Sequence, residues 1–559
     1  MQVRATPAAD RIVFGKVRTL DEKSTVAEAI AVADGDIIAV GDRETVLKTR
    51  DAGTEVRDFG DKVIIPGFND THAHIDSPGM QFTWPSLSAA RSIEDVLDRI
   101  RGLAAEAPPG TWIVTMPVGK PIFYFDGPSA LAEKRLPTRQ EIDSVAPDHP
   151  VYVASPSGYW AGTPVYSALN TLGLKLNGID RHTVPAAKGI EIQRDANGEP
   201  TGILVEHNMA NLSELVLLPA VPKFTYQHRI EGVRRGMKLY HAKGTTSIYE
   251  GHGCSPALLA AFRELRERGE LSMRVGAVVS PTWGNVEDAE RAMRDTLVYA
   301  RGAGIGDAML RVSGIFITYG GDPVVNRLSQ QHPEYAGWSG RVFQANNASE
   351  FEALCMLAGK YDLRVHAAVS DRLHELLPIM ERVAMTYPIG RRRWVLEHVN
   401  RVRAEDLRRV RELGIGISLI PAYFLWKNGR DYFKLEPAEL DYLSPARQLI
   451  ELGVHVSAGT DAYPYDPLTT LWLMTTRQER VTGRVLGEGG RVGNEAALRL
   501  LTVAGAWLTF EEHVKGPLAP GYLADLAVLS GDPLETQGDA LRDIECVATM
   551  VGGRWVHGG

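Results

Sequence analysis

Cysteine is scarce in this chain of 559 residues: Cys254, Cys355 and Cys546 are the whole complement, and they lie far apart. They are too few and too scattered for a disulfide framework or a cysteine-based zinc site, so a reducing, cytoplasmic setting is expected. Long apolar runs are missing as well. No stretch of about 18 apolar residues occurs, and the first ten residues lack the apolar core of a secretory signal, so a soluble protein without a membrane partner is expected. Charge of one sign is nowhere concentrated. Against 61 Lys and Arg stand 69 Asp and Glu, a net of -8 with no long block of like charge, which argues against nucleic-acid or membrane-surface binding. Low-complexity tracts, heptads and short repeats are absent too, which excludes fibrous and solenoid architectures.

What is present is alternation. Residues 10–65 carry short apolar runs separated by turns: Ile12-Val13-Phe14, Ala29-Ile30-Ala31-Val32, Ile37-Ile38-Ala39-Val40 and Val63-Ile64-Ile65, with Asp34-Gly35-Asp36 as a tight-turn signal. The last 45 or so residues repeat that flavour in Leu526-Ala527-Val528-Leu529 and Val547-Ala548-Thr549-Met550-Val551, so one satellite β domain built from both ends is expected. In the middle, helical patterns end at Gly244, Gly414 and Gly453 and pass directly into β-rich runs. Helices alternating with short apolar strands predict a parallel sheet covered on both faces. A doubly wound sheet and a barrel both satisfy this; a barrel gathers its reactive residues at the carboxyl ends of many strands.

The reactive types do gather there. Val63-Ile64-Ile65-Pro66-Gly67-Phe68-Asn69-Asp70-Thr71-His72-Ala73-His74 runs a strand into two histidines at i and i+2, which project from one face of an extended chain. His366 and His398 each close an apolar run, and Val454 to Ala458 leads into Gly459-Thr460-Asp461. Four histidines and a carboxylate at the ends of four strands suit a metal site that leaves positions open for water.

These segments resemble the metal-dependent amidohydrolase superfamily, in particular amidohydrolase family three. The resemblance rests on Pro66-Gly67-Phe68 with Asp70, His72 and His74, on Leu136-Pro137-Thr138-Arg139, and on Gly198-Glu199-Pro200-Thr201-Gly202. It continues through Gly244-Thr245-Thr246-Ser247, Glu397-His398, Asp461 with Asp466-Pro467-Leu468, Gly516-Pro517-Leu518-Ala519-Pro520-Gly521 and Ala524-Asp525-Leu526. It implies a (β/α)8 TIM-like barrel over 66–514 with a long insertion after its first strand, and a composite β-sandwich of 1–65 and 515–559. It further implies that His72, His74, His366, His398 and Asp461 bind one or two divalent ions, usually zinc, with iron or manganese as other ions the site could take. Asp461 would shuttle the proton of the attacking water, and His398 would be a ligand or polarise the substrate. Members of the family are often homodimers.

Two departures stand out. Phe316 occupies the place of the lysine that bridges two metals on the fourth strand of many members, and Gly320 the place of a nearby aspartate. One ion is therefore expected, with Glu206, Glu250 and His252 as candidate replacement ligands. Aromatic residues recur on the segments expected above the barrel: Trp84, Phe125, Tyr159, Trp160, Tyr423, Phe424 and Tyr463. Such a group lines an apolar pocket for a small aromatic or apolar substrate. The expected function is hydrolysis of a non-peptide C–N bond, an amide or N-acyl group. The alternatives are a decarboxylase or iron-dependent oxygenase on the same fold, and a catalytically silent binding protein.

Overall fold

The computed structural model describes residues 8–121, 123–321, 323–331, 343–461 and 464–559. Two compact units emerge: Met1–Ile75 with Gly236–Tyr319 and Asn347–Gly559, and Asp76–Arg235 with Gly320–Asn346.

The first unit contains eight parallel strands, each hydrogen-bonded to the next in chain order: Phe68–Ala73, Thr245–Cys254, Arg274–Val279, Leu310–Phe316, Val365–Ser370, Val395–Val399, Gly416–Leu419 and Val456–Ala458. The eighth returns to the first through a parallel bridge between Ala73 and Asp461, where Asp461 N donates to His72 O at 2.7 Å. The result is a (β/α)8 barrel. Its strands are buried almost throughout, as expected where helices cover one face and side chains fill the other. The helix Ala404–Leu413 stops at Gly414, whose φ of +66° only glycine adopts without strain, and the seventh strand follows at once.

Strands from both ends of the chain form a separate seven-stranded sheet in this unit, in the spatial order Arg554–His557, Cys546–Val551, Leu526–Leu529, Glu55–Pro66, Arg11–Arg18, Val26–Ala33, Asp36–Gly41. Val63–Pro66 pairs antiparallel with Leu526–Leu529 and so joins the two ends. One face buries Val13, Ile30, Ile64, Val528 and Met550, the other Ile12, Phe14, Ala29 and Ala31. A buried ion pair ties this sheet to the barrel. Arg274, first residue of the third barrel strand, reaches Asp525 by two hydrogen bonds of 2.6 and 3.0 Å, and Asp525 also accepts from Gly552 N at 2.8 Å. Both side chains are less than a tenth exposed. Removing one partner leaves the other charge buried and unpaired, so Asp525→Ala is expected to destabilise the chain by about 3–5 kcal/mol. A shift of the urea midpoint checks this.

The second unit follows the first barrel strand in the sequence and has its own sheet, ordered Ile113–Thr115, Val151–Val153, Val165–Leu169, Pro200–Glu206, Ile190–Arg194. The first pair is parallel and the rest antiparallel. Its helix Ile93–Glu106 starts at a reciprocal Ser92–Asp95 capping box and buries Val96, Leu97 and Ile100. No described helix in the chain is long and apolar enough to cross a membrane.

Candidate metal centre

The first barrel strand sets the site. Alternation aims Asp70, His72 and, just past the strand, His74 to one side, and all three are buried. Asp70 accepts from Thr460 N at 2.9 Å, from Thr460 Oγ1 at 2.5 Å and from His72 N at 3.2 Å, so it locks the end of the first strand to the segment carrying Asp461. Burial pushes the Asp70 carboxyl up to about 7, against the pull of those hydrogen bonds.

Three imidazole nitrogens converge from three strands. His252 Nε2, near the end of the second strand, lies 2.9 Å from His398 Nε2 on the sixth, which lies 3.0 Å from His72 Nε2 on the first. Asp461 faces the same point: one oxygen is 3.4 Å from His74 Nε2 and the other 3.7 Å from His398 Nε2. Two overlapping groups, His72–His252–His398 and His72–His74–Asp461, each bring three donor atoms within 4.8 Å of one another. Nitrogen ligands on a tetrahedral zinc lie about 3.3 Å apart, so the spacing fits a small divalent ion. The backbone is bent to achieve it. His398 and Asp461 have φ of +57° and +62°, a left-handed conformation that costs non-glycine residues about 1–3 kcal/mol and re-aims both side chains.

The field of the site favours positive charge. His74 donates from Nδ1 to Glu250 Oε1 at 2.9 Å and faces Asp461 through Nε2. Burial opposes a charge on its ring, yet the bonds to Asp461 and Glu250 outweigh it and raise its pKa to about 10. Burial likewise raises the Asp461 carboxyl, but the His74 bond and the neighbouring His398, His74 and His72 hold it well below the usual carboxylate range. A point where two buried carboxylates stabilise a cation suits a proton or a metal ion.

The structure therefore brings His72, His74, His252, His398 and Asp461 together, with Glu250 behind His74. His366 sits elsewhere in the barrel. It is the second residue of the fifth strand, and its nitrogens face Glu397 and Tyr249, placing it outside both groups. Glu206 belongs to the second unit, where it accepts from Ser213 N at 2.9 Å and Asn208 Nδ2 at 2.6 Å. Phe316 ends the fourth strand with its ring 5.5 Å from that of His252, so an imidazole from the second strand stands beside the place of the absent lysine. Of the aromatic candidates, Tyr423 and Phe424 flank His398 at 5.6 and 5.8 Å. Trp84, Phe125, Tyr159 and Trp160 lie in the second unit, where Trp84 and Tyr159 pack on its core and Phe125 stacks on Phe123. Tyr463 lies outside the described residues.

Two residues to which the motifs gave no role complete the site. Glu397 is fully buried and spans His72 and His366. Lys427, after the seventh strand, has its ammonium 4.4 Å from the Tyr423 ring, and burial lowers its pKa to about 8 against the pull of Asp461 and Asp431. A charged residue inside an apolar strand, as in Val395-Leu396-Glu397-His398, is the signal that reveals the first; the second leaves none.

A sequence profile of the amidohydrolase family matches residues 55–557. The chain belongs to the amidohydrolase family. Members of this family hydrolyse C–N bonds, and the buried imidazole and carboxylate cluster of this amidohydrolase lies at the carboxyl ends of its barrel strands. Over 568 residues it is 27% identical to the N-substituted formamide deformylase of Arthrobacter pascens, covering 97% of each chain. An uncharacterized metal-dependent hydrolase from Pyrococcus furiosus shares the fold of this amidohydrolase at a TM-score of 0.68 and 20% identity, over 94% of this chain and 100% of that one. The atrazine chlorohydrolase TrzN of Arthrobacter aurescens, solved with zinc, aligns at 0.51 and 14%, over 98% and 95%.

Proposed function

We propose that this amidohydrolase cleaves the amide bond of a small N-formyl or N-acyl amine bearing an aromatic or apolar group, with one zinc ion held by His72, His252 and His398 beside His74 and Asp461. The convergence of the three Nε2 atoms next to the Asp461 carboxylate carries this reading. When bound, the ion lowers the pKa of water to about 7 and polarises the amide carbonyl. Asp461 accepts the proton of the attacking water and returns it to the leaving nitrogen, so that amide and water become carboxylic acid and amine. Tyr423 and Phe424 offer the apolar faces on which the substrate packs.

Metal content of protein purified without added metal tests this. About one zinc per chain is expected, with turnover of a panel of N-formyl and N-acyl amines lost after chelation and restored by zinc. Iron with oxygen consumption would overturn the reading in favour of an oxygenase. A chain that takes up no ion and turns over nothing would overturn it in favour of a silent binding protein.

A further inference from the structure

The segment after the seventh barrel strand carries a cation to which the reaction proposed above gives no task. Strand Gly416–Leu419 passes through Ile420-Pro421 into a π-helical turn, Ala422–Lys427, in which Asn428 N donates to Tyr423 O at 3.1 Å, five residues back. Such widened turns are rare and recur at functional sites. This one brings two consecutive rings to His398, Tyr423 at 5.6 Å and Phe424 at 5.8 Å, themselves 5.0 Å apart and edge to face. Lys427, the last residue of the turn, lays its ammonium 4.4 Å from the centre of the same Tyr423 ring. A single ring thus stands beside both a proposed metal ligand and a positive charge.

That placement of the charge works against its hydration. A lysine at a rim ordinarily lays its stem along apolar surface and leaves its ammonium in water. Lys427 is half-buried instead; burial opposes its charge, and the carboxylates of Asp461 and Asp431 favour it. Of those two, Asp461 serves the proposed ion, and Asp431 lies on an exposed turn. A second cation stands on the same segment. Arg480 is exposed, sets its guanidinium 5.7 Å from the Trp426 ring, and donates from its backbone N–H to Trp426 O at 3.3 Å. The turn that offers apolar faces to a substrate therefore offers positive charge as well.

We infer that Lys427 recognises an anionic group on the substrate, so that the site takes an N-formyl or N-acyl amine carrying a carboxylate besides its aromatic or apolar group. An N-acylated amino acid is the simplest molecule of that class. The inference rests on the proposed function and narrows its substrate. The ammonium donates to the carboxylate, and Tyr423 and Phe424 pack on the apolar part. A compact charge with three donors on a flexible stem suits a carboxylate whose orientation varies from one amino acid to another. Arg480 adds to the field that draws an anion toward the turn.

The test compares racemic N-acetylphenylalanine with N-acetylphenethylamine, which differ by one carboxylate. In the parent, kcat/KM is expected to favour the acid by about 10-fold or more, chiefly through KM. Lys427→Met is expected to lower that acid-over-neutral ratio by about 10- to 100-fold, as for the loss of one hydrogen bond to a charged group, and Lys427→Arg to keep most of it. Calorimetric binding of 3-phenylpropionate against 3-phenylpropionamide, with and without a chelator, reads the same preference with no turnover and with no ion to attract the acid. Far-UV circular dichroism confirms that each variant folds. A Lys427→Met chain in which both substrates slow alike, or whose preference for the acid persists, would overturn the inference. Should that variant fail to fold, the parent decides: equal binding of acid and amide overturns the inference. A parent that hydrolyses neither N-acetyl compound yet binds the acid more tightly, in a manner that Lys427→Met abolishes, would instead overturn the proposed hydrolysis and support the anion site.

Discussion

Asp461→Asn lowers kcat/KM for an N-acyl amine by about 10³- to 10⁴-fold, the upper range for losing a general base and acid, while the chain stays folded. The second half of that expectation comes from the backbone. Asp461 sits at φ +62°, and asparagine is the non-glycine residue that best tolerates this region together with aspartate. The bond from the 461 backbone N–H to His72 O survives the change, so the eighth strand keeps its closure onto the first. What is lost is the charge that faces His74 and His398. Steady-state kinetics paired with thermal unfolding separate the two: a large fall in turnover at an almost unchanged melting temperature is the expected result. A variant retaining more than about a tenth of the parent activity would remove Asp461 from the proton-transfer role.

Gly251→Ala is expected to destroy the metal centre by a different route. Gly251 lies between Glu250 and His252 on the second strand, and the His72 ring packs directly against its α-carbon. A Cβ built there falls 2.2 Å from His72 Nδ1 and 2.3 Å from its Cγ. The side chain has little room to retreat: Glu397 Oε2 already lies 2.7 Å from Nδ1, and Gly459 approaches so closely that a Cβ there would fall 2.7 Å from His72 Cβ. Overpacking of this kind costs about 1–3 kcal/mol or more, and here it moves the imidazole on which both donor groups depend. Zinc affinity is expected to fall by more than about 100-fold, beyond what loss of a supporting hydrogen bond produces. Gly102→Ala provides the contrast. It lies in the exposed part of the helix Ile93–Glu106 with nothing within 4 Å of its added Cβ, and should raise stability slightly while leaving zinc binding alone. Dye competition and unfolding midpoints on both variants decide the matter.

Much of this arrangement is legible in the sequence because barrel strands obey simple geometry. His72 and His74 share a side through the two-residue alternation of an extended chain, and Gly414 marks where a helix must stop and a strand begin. The parts that escape are those in which that alternation breaks. Glu397 and His398 are neighbours and would point to opposite faces of a regular strand; the left-handed φ of His398 lets both reach His72, one at Nδ1 and the other at Nε2. His366 matches its motif by position, yet one carboxylate on the adjacent strand, paired in register at His366 with Val395, captures its ring. Spacing puts Glu250 and His252 after the strand that begins at Thr245, whereas it gives Glu206 no place relative to the barrel. Only the fold puts Glu206 in a different sheet.

The pairing of Val63–Pro66 with Leu526–Leu529 has a bearing on how the chain is made. The two segments are separated by about 460 residues, which at about 5–20 residues per second is roughly half a minute to a minute and a half of synthesis. Through that interval the strand Glu55–Pro66 has its parallel neighbour Arg11–Arg18 on one side and an unpaired edge on the other. An apolar edge waiting on the ribosome is a template for pairing with other nascent chains. Production of this protein should therefore be limited by the fate of its amino-terminal segment during translation, and should respond to slower growth temperature and to chaperones that shield nascent chains more than to any change that strengthens the finished barrel.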